Sequence, residues 1–315
     1  MTSVRSDRSG TLEWLLDGDP AIRWQVLLHL LDASPAEVDA ERGRVATEGW
    51  GAELLSLQDP DGRWAGALYS PKWTSTTYTL LHLVDLGVPG DHPAVRRGTD
   101  VLWDAARSFD GGLNLAKTVR APEMCITGML VRLAAESGID DERVEAAVAW
   151  LLAQQLADGG WNCETVHAGS THGSFHTSVI VLEGLLAYER AGRATPVAAA
   201  LTQGRRFFLD HRLHRSHRTG EEVDPVFRRF PFPPRWHFDV VRGLEHFAEA
   251  GAEADERLAG AIEVVRRSRR RDGSWPKFAD HPGRTWFAME GRGPSRWSTL
   301  RARRVLRWWE GAGGR

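Results

Sequence analysis

The chain has almost no cysteine. Cys125 and Cys163 are the two in 315 residues, too few to frame a fold of this size with disulfides, so both thiols are expected to be reduced. The plainest role for either is that of a small buried hydrophobe. Long apolar runs are missing too: nothing approaches the roughly 18 uninterrupted apolar residues of a membrane span, and the polar stretch 1–10 lacks the apolar core of a signal peptide. A soluble, cytoplasmic protein without a membrane span is expected. Neither sign of charge dominates, since 40 basic residues face 42 acidic ones, and no basic field is left to draw nucleic acid. The alternation of β-branched residues that marks strands is also lacking, which excludes a sheet protein.

What the chain has instead is tryptophan, 14 of them, and glycine, 32, and both recur in phase. Six times a turn bearing Gly is followed by a charged or polar residue, an aromatic or Met, and an apolar helical segment. The six read Asp17-Gly18 then Arg23-Trp24, Asp61-Gly62 then Lys72-Trp73, Asp110-Gly111 then Glu123-Met124, Asp158-Gly159 then Ser174-Phe175, Gly220 then Arg235-Trp236, and Asp272-Gly273 then Arg296-Trp297. The turn glycines lie 44 to 61 residues apart, a spacing that identifies a repeat architecture. Apolar residues such as Val179, Leu182, Leu185 and Leu186 follow the helical period.

Segments leading into a turn, 141–155 and 255–270 among them, are charged, whereas those after the aromatic, 74–86 and 176–186, begin apolar. That is the pattern of an outer and an inner ring of helices. An open array would leave two apolar ends uncovered, and the first and last units are as apolar as the middle ones. The expected fold is all-α, a single (α/α)6 toroid of six helix-pair repeats spanning residues 1–315 as one domain. An open solenoid is the alternative. Stretch 211–234 breaks the pattern and reads as a long loop over one face, with its basic string 211–218 as a solvated surface.

Asp-Gly suits these turns because Gly takes positive φ without steric cost and Asp bonds the backbone two residues on. Gln58-Asp-Pro-Asp-Gly62-Arg-Trp64 and Gln155-Leu-Ala-Asp-Gly159-Gly-Trp161 fit QxxxGxW, and Asp272-Gly273-Ser-Trp275 keeps its second half with Arg269 in place of Gln. This QW motif resembles the repeat of squalene and oxidosqualene cyclases, a superfamily that also holds the β-subunits of protein prenyltransferases. The resemblance implies a toroid whose central cavity binds isoprenoids. The Asp-x-Asp-Asp acid of class II terpene cyclases is absent; the nearest string, Gly138-Ile-Asp140-Asp141, has Gly where the first Asp belongs. Prenyltransferase-type toroids also pair with a helical partner subunit, so a protein partner belongs among the expectations.

If the inner helices start in register, Gln25, Thr74, Cys125, His176, His237 and Ser298 ring one mouth of the toroid. Capping of free helix N–H groups accounts for Thr74 and Ser298. It does not account for Cys125, His176 and His237, which with Glu123 or Asp239 make a donor set suited to catalytic zinc; a metal-free polar pocket is the other reading. The resemblance adds that prenyltransferase β-subunits bind zinc through Asp-x-Cys and a His on the next inner helix, which Glu123-Met-Cys125 and His176 match with Glu for Asp. Cys163 would be a fourth ligand or a reactive thiol, with His167 and His172 on the loop beyond it as further candidates. Arg23, Lys72, Arg235 and Arg296 stand one residue earlier in the ring and would hold a diphosphate or carboxylate, unless they merely pair with the turn aspartates. Trp24, Trp73, Phe175, Trp236 and Trp297 would line the cavity and face an apolar chain or a carbocation.

The functional expectation is an enzyme of this superfamily acting on an isoprenoid or other apolar small molecule, with Glu123, Asp239 and His237 as acid–base groups. Two alternatives stand beside it. One is an (α/α)6 carbohydrate hydrolase or lyase with Glu123 and Asp239 as paired carboxylates; the other is a binding or partner subunit without catalysis.

Overall fold

A computed structural model describes residues 3–314, so the first two residues of the polar stretch 1–10 and the final Arg lie outside the described residues. The chain is mostly helical. Its α-helices run α1 Ser3–Leu16, α2 Pro20–Leu30, α3 Pro35–Arg44, α4 Gly49–Ser56, α5 Thr76–Leu86, α6 Pro93–Ala105, α7 Met124–Glu136, α8 Glu142–Ala153, α9 Glu164–Ala168, α10 Phe175–Arg190, α11 Ala198–Asp210, α12 Val240–Glu249, α13 Ala259–Arg267 and α14 Arg296–Gly311. Four very short strands make two antiparallel ladders, β1 Arg107–Phe109 with β2 Gly112–Asn114 and β3 Trp275–Pro276 with β4 Pro294–Ser295. Among the described residues no helix is long and apolar enough to cross a membrane.

Local chemistry sets the helix starts. Asp19 caps α2 by accepting the Ala21 N–H ahead of Pro20, and Ser34 and Glu37 form a reciprocal capping box on α3, each such cap contributing about 1 kcal/mol. Gly87 ends α5 at φ 105°, a conformation that favours glycine.

The repeated turns share one hydrogen-bond plan. Gly62, Gly159 and Gly273 sit at φ 85°, 86° and 81°, and each lets the chain reverse toward a buried Trp. The indole N–H of Trp64, Trp161 and Trp275 donates to Leu54, Leu151 and Val265, each at 2.8 Å. Gln58 and Gln155 donate to the carbonyls of Gly62 and Gly159 and also to Ala94 and Ala200 on the next outer helix. Gly98 and Gly204 leave room for the indoles, because a Cβ there would stand 2.8 and 2.9 Å from Trp64 and Trp161. These tryptophans therefore fill the gaps between units.

A hydroxyl near the start of the following inner helix completes the plan. Thr76, Ser178 and Thr299 accept the backbone N–H of Trp64, Trp161 and Trp275, and Thr127 does the same for Leu113 at 2.9 Å. That shared contact fixes the rotation of four inner helices. It also places Trp297, not Ser298, in the register of Thr74, Cys125 and His176.

The inner helices pack in sequence, α5 on α7, α7 on α10, α10 on α12 and α12 on α14, and α14 packs on α2. Trp24 and Gln25 of α2 donate to the last carbonyls of α5, Leu86 and Asp85. Helices α7 and α10 approach closest, since a Cβ on Gly184 would stand 2.5 Å from the Gly128 carbonyl oxygen. The stretch expected to lie over one face instead turns inward: Phe227 and Phe230 are buried, and Phe232, Pro233, Pro234 and Arg235 reach the space between the inner helices. In the basic string, Arg212, Arg215, His217 and Arg218 are exposed, but His211 and His214 are buried.

Candidate functional site

The inner helices enclose a cavity of about 890 Å³, within the size range of small-molecule sites. Its wall follows the hydroxyl register. Two residues beyond each hydroxyl stand Tyr78, Met129, Ile180 and Arg301; five beyond, Leu81, Arg132, Glu183 and Arg304; nine beyond, Asp85, Glu136, Ala187 and Trp308, and all twelve line the cavity. One face of a helix presents residues at such intervals, one turn of about 5.4 Å apart. The cavity therefore runs along the inner helices toward their C-terminal ends, where exposed Asp32, Arg190 and Gly251 mark its rim. The other end is closed by a strap, residues 230–237, whose Phe232 stacks on Trp297 with centroids 3.6 Å apart.

A belt of ion pairs runs along the wall from the level of Arg301 to that of Asp85. Arg132 meets Asp85 at 2.6 Å and Glu183 at 3.7 Å, Arg242 grips Glu183 through two contacts of 2.7 Å, and Arg301 grips Glu245 at 2.8 Å. Burial pushes the Glu183 carboxyl up, but Arg242 and Arg132 outweigh it and hold it below the usual range. Asp85 ends up raised, because its burial outweighs Arg132. The same arginines pin the strap: Arg242 donates to the carbonyls of Arg235 and His237 at 3.0 and 2.7 Å, and Arg301 to Pro231 at 3.2 Å. Composition and first-turn patterns gave no sign of this belt. Its signal lies in charges spaced at helical intervals on inner helices, as in Arg132 and Glu136.

The expected mouth ring is not assembled. Of Arg23, Trp24, Lys72, Trp73, Phe175, Arg235, Trp236, Arg296 and Trp297, the cavity wall includes Trp24, Arg235 and Trp297. Arg23 pairs with Glu41 at 2.5 Å, Arg296 lies 3.8 Å from Asp17 and donates to the Trp14 carbonyl, and exposed Lys72 sits over the Trp236 ring. Phe175 packs among Phe207, Phe208, Phe227 and Phe238. Trp73 donates to the Pro282 carbonyl at 2.8 Å and Trp286 to the Thr79 hydroxyl. The reason is steric: the strap and the segment around 281–286 cover the N-terminal ends of the inner helices.

The acid–base candidates separate. His237 is sandwiched between Trp236 and His281, at 3.8 and 3.7 Å, and burial with the nearby His281 charge lowers it to about 3. Asp239 is buried, caps α12 by accepting the Arg242 N–H, lies 3.6 Å from Arg301 and leaves Oδ2 without a partner. Burial raises it to about 6. Neither Asp239 nor Glu123 lines the cavity, so the paired-carboxylate arrangement is not formed there.

Glu123, Cys125 and Cys163 do meet: their ligand atoms lie within 4.8 Å of one another. The Cys125 N–H points at the Cys163 sulfur at 3.4 Å, and His167 contacts Glu123 at 2.8 Å. A hydrogen bond to Cys163, burial and the Glu123 charge together push the Cys125 thiol up. His176 is not part of this group. Its Nδ1 accepts the Phe238 N–H at 2.8 Å, and burial lowers it to about 4.

No protein-family model matches the chain, and no curated protein does. Among solved structures it is similar to a protein from Actinoplanes, at 18% identity over 94% of this chain and 90% of that one, with a TM-score of 0.48. It is similar to the type II terpene cyclase MstE from Scytonema, at 15% identity over 99% of this chain and 100% of that one, with a TM-score of 0.48. A variant of MstE in complex with its substrate, geranylgeranyl dihydroxybenzoate, aligns at 15% identity over 93% of this chain and 87% of that one, with a TM-score of 0.46.

Proposed function

We propose that residues 1–315 form one (α/α)6 toroid, a terpenoid cyclase-like enzyme whose bore takes an amphipathic rather than a wholly apolar substrate. The packing of α14 on α2 supports closure, and the shared hydrogen-bond plan of the QW turns supports the repeat. The layered wall carries the substrate reading: Tyr78, Met129, Ile180, Phe232 and Trp297 at the closed end, where Arg301 is also rooted, and the belt of Arg132, Glu183, Arg242 and Glu245 beyond. An unsaturated apolar group fits the aromatic end, where ring faces also favour a developing cation. Uncharged polar groups fit the belt, whose charges are already paired with one another and lose hydration against a bare hydrocarbon chain.

Equilibrium binding of geranylgeranyl dihydroxybenzoate, dihydroxybenzoate and geranylgeraniol tests this reading. The two polar compounds are expected to bind more tightly than the bare prenyl alcohol. Tightest binding by the alcohol would restore an apolar bore.

A second reading concerns zinc, and the Glu123–Cys125–Cys163 cluster favours it. Two thiols and a carboxylate suit that ion, and it would supply thiolate and Lewis-acid chemistry outside the main cavity. These three residues would hold it, with His167 orienting Glu123. Metal content of purified protein is expected to fall in Cys125→Ser and Cys163→Ser and to persist in His176→Ala. Equal zinc in all of them, or none in wild type after zinc is offered, would remove the proposal.

A further inference from the structure

The cavity wall neutralises nearly all of its own charge. Arg132, Arg242, Arg301, Arg304 and Arg307 each have a carboxylate partner: Asp85 and Glu183, Glu183, Glu245, Glu249, and Asp32. Arg190 and Arg42 donate to the carbonyls of Glu249 and Gly87. Arg235 is the exception. Its guanidinium lies over the Trp73 ring at 5.4 Å, Nη1 is buried without a hydrogen-bond partner, and among the described residues no carboxylate lies within ion-pair distance. A cation in such surroundings costs free energy unless it is paired, and burial has already lowered this guanidinium to about 10.

Two further polar atoms at the closed end share that condition. Nε2 of His82, a residue 6% exposed, and Nε1 of Trp297, 1% exposed, are buried with no hydrogen-bond partner. Both side chains line the cavity beside Arg235 and Phe232. His82 and Arg235 also line a smaller cavity of about 80 Å³ with Lys277, Asp280, His281 and Glu290; Asp280 and Asp85 favour the Arg235 charge from beyond ion-pair distance, but burial outweighs them. Native interiors rarely leave several neighbouring polar atoms unmet, and the His82 tautomer with its proton on Nε2 makes all three of these atoms donors. The backbone adds to the picture: Arg235 is held at φ 58°, a left-handed conformation unfavourable for a residue with a Cβ, by the hydrogen bond from Arg242 to its carbonyl.

We propose that the closed end of the bore is an oxyanion subsite, in which Arg235, the Trp297 indole N–H and the His82 imidazole receive a carboxylate or phosphate of the substrate. The substrate then enters anionic group first. Its flat or unsaturated portion lies against Tyr78 and Phe232, and its remaining polar groups lie in the ion-pair belt. The guanidinium fork supplies two parallel donors, a geometry matched to such oxyanions. This inference rests on the reading of the bore as the substrate site.

The test is calorimetric binding to the full chain of dihydroxybenzoate, its methyl ester and an aryl phosphate. Wild type, Arg235→Met, Arg235→Lys and, at the level of Arg132 and Glu183, Arg304→Met are compared, with thermal melting to verify folding. Wild type is expected to prefer the acid over the ester by about tenfold or more. Arg235→Met loses that preference with ester binding unchanged, while Arg235→Lys and Arg304→Met keep it. Tighter binding of the phosphate than of the acid identifies the oxyanion as phosphate and supports the same subsite. The proposal is overturned if Arg235→Met keeps the preference, if Arg304→Met alone loses it, or if wild type binds neither anion. Binding of prenylated ligands without regard to their acid group would overturn this subsite and leave the amphipathic bore standing. Acid binding through Arg235 with no prenylated ligand bound would do the reverse.

Discussion

Phe232 lies flat on Trp297, ring centroids 3.6 Å apart and planes 13° apart, and this stack closes the bore. Phe232 lines both the large and the small cavity, so Phe232→Ala is expected to join them. The half-buried ring puts the stability loss at about 2 kcal/mol, below the ~3–5 kcal/mol of a fully buried aromatic. Acrylamide quenching of tryptophan fluorescence should rise as Trp297 gains access to solvent. Unchanged quenching would mean that the stack is not the barrier.

The belt makes a sharper prediction. Arg242→Met leaves Glu183 buried beside Arg132 alone and releases the carbonyls of Arg235 and His237, for an expected loss of about 3 kcal/mol. Hydrogen exchange in residues 230–237 should rise more than in α7. A uniform rise across both would show that the arginine holds the helices rather than the strap.

The contact between α7 and α10 tolerates no side chain. Gly184→Ala places a methyl 2.5 Å from the Gly128 carbonyl oxygen and is expected to cost about 1–3 kcal/mol through forced separation. Gly10→Ala, inside α1 with open space around it, serves as the opposite control in thermal melting and is expected to raise stability by about 0.5–1 kcal/mol.

Asp239 and His246 pull stability in opposite directions with pH. Burial raises folded Asp239 to about 6 from 3.8, so its favourable contribution is present at low pH and is lost as pH rises through 6. Burial lowers His246 to about 4 from 6.5, so its contribution is present above 6.5 and is lost as pH falls toward 4. In melting temperatures measured from pH 4 to 8, Asp239→Asn should steepen the acid-side loss. His246→Phe should flatten it by up to ~3 kcal/mol. Identical profiles for all three proteins would contradict both assignments.

The turns were legible in the sequence because their causes are local: Gly62 needs its positive φ, Gln58 reaches four residues ahead, and Trp64 fills a gap shaped by Gly98. The wall was not. A charge on a helix ordinarily marks its solvated face, and only the meeting of several inner faces puts Arg132, Glu183 and Arg301 inside. The strap was hidden for a related reason, since a Phe- and Pro-rich run such as 230–234 reads as surface loop until Arg242 and Arg301 are seen holding it in the bore. Cys163 joined Cys125 and Glu123 while His176 did not, because the Phe238 N–H already occupies the His176 Nδ1.

The hydroxyls of Thr76, Thr127, Ser178 and Thr299 act as a common zero mark for depth. Counting two, five or nine residues onward gives a coordinate along the bore that holds on four different helices. Leu81, Arg132, Glu183 and Arg304 thus share one storey. Substitutions at that storey can be combined to recast a single level of the channel while the levels above and below keep their shape.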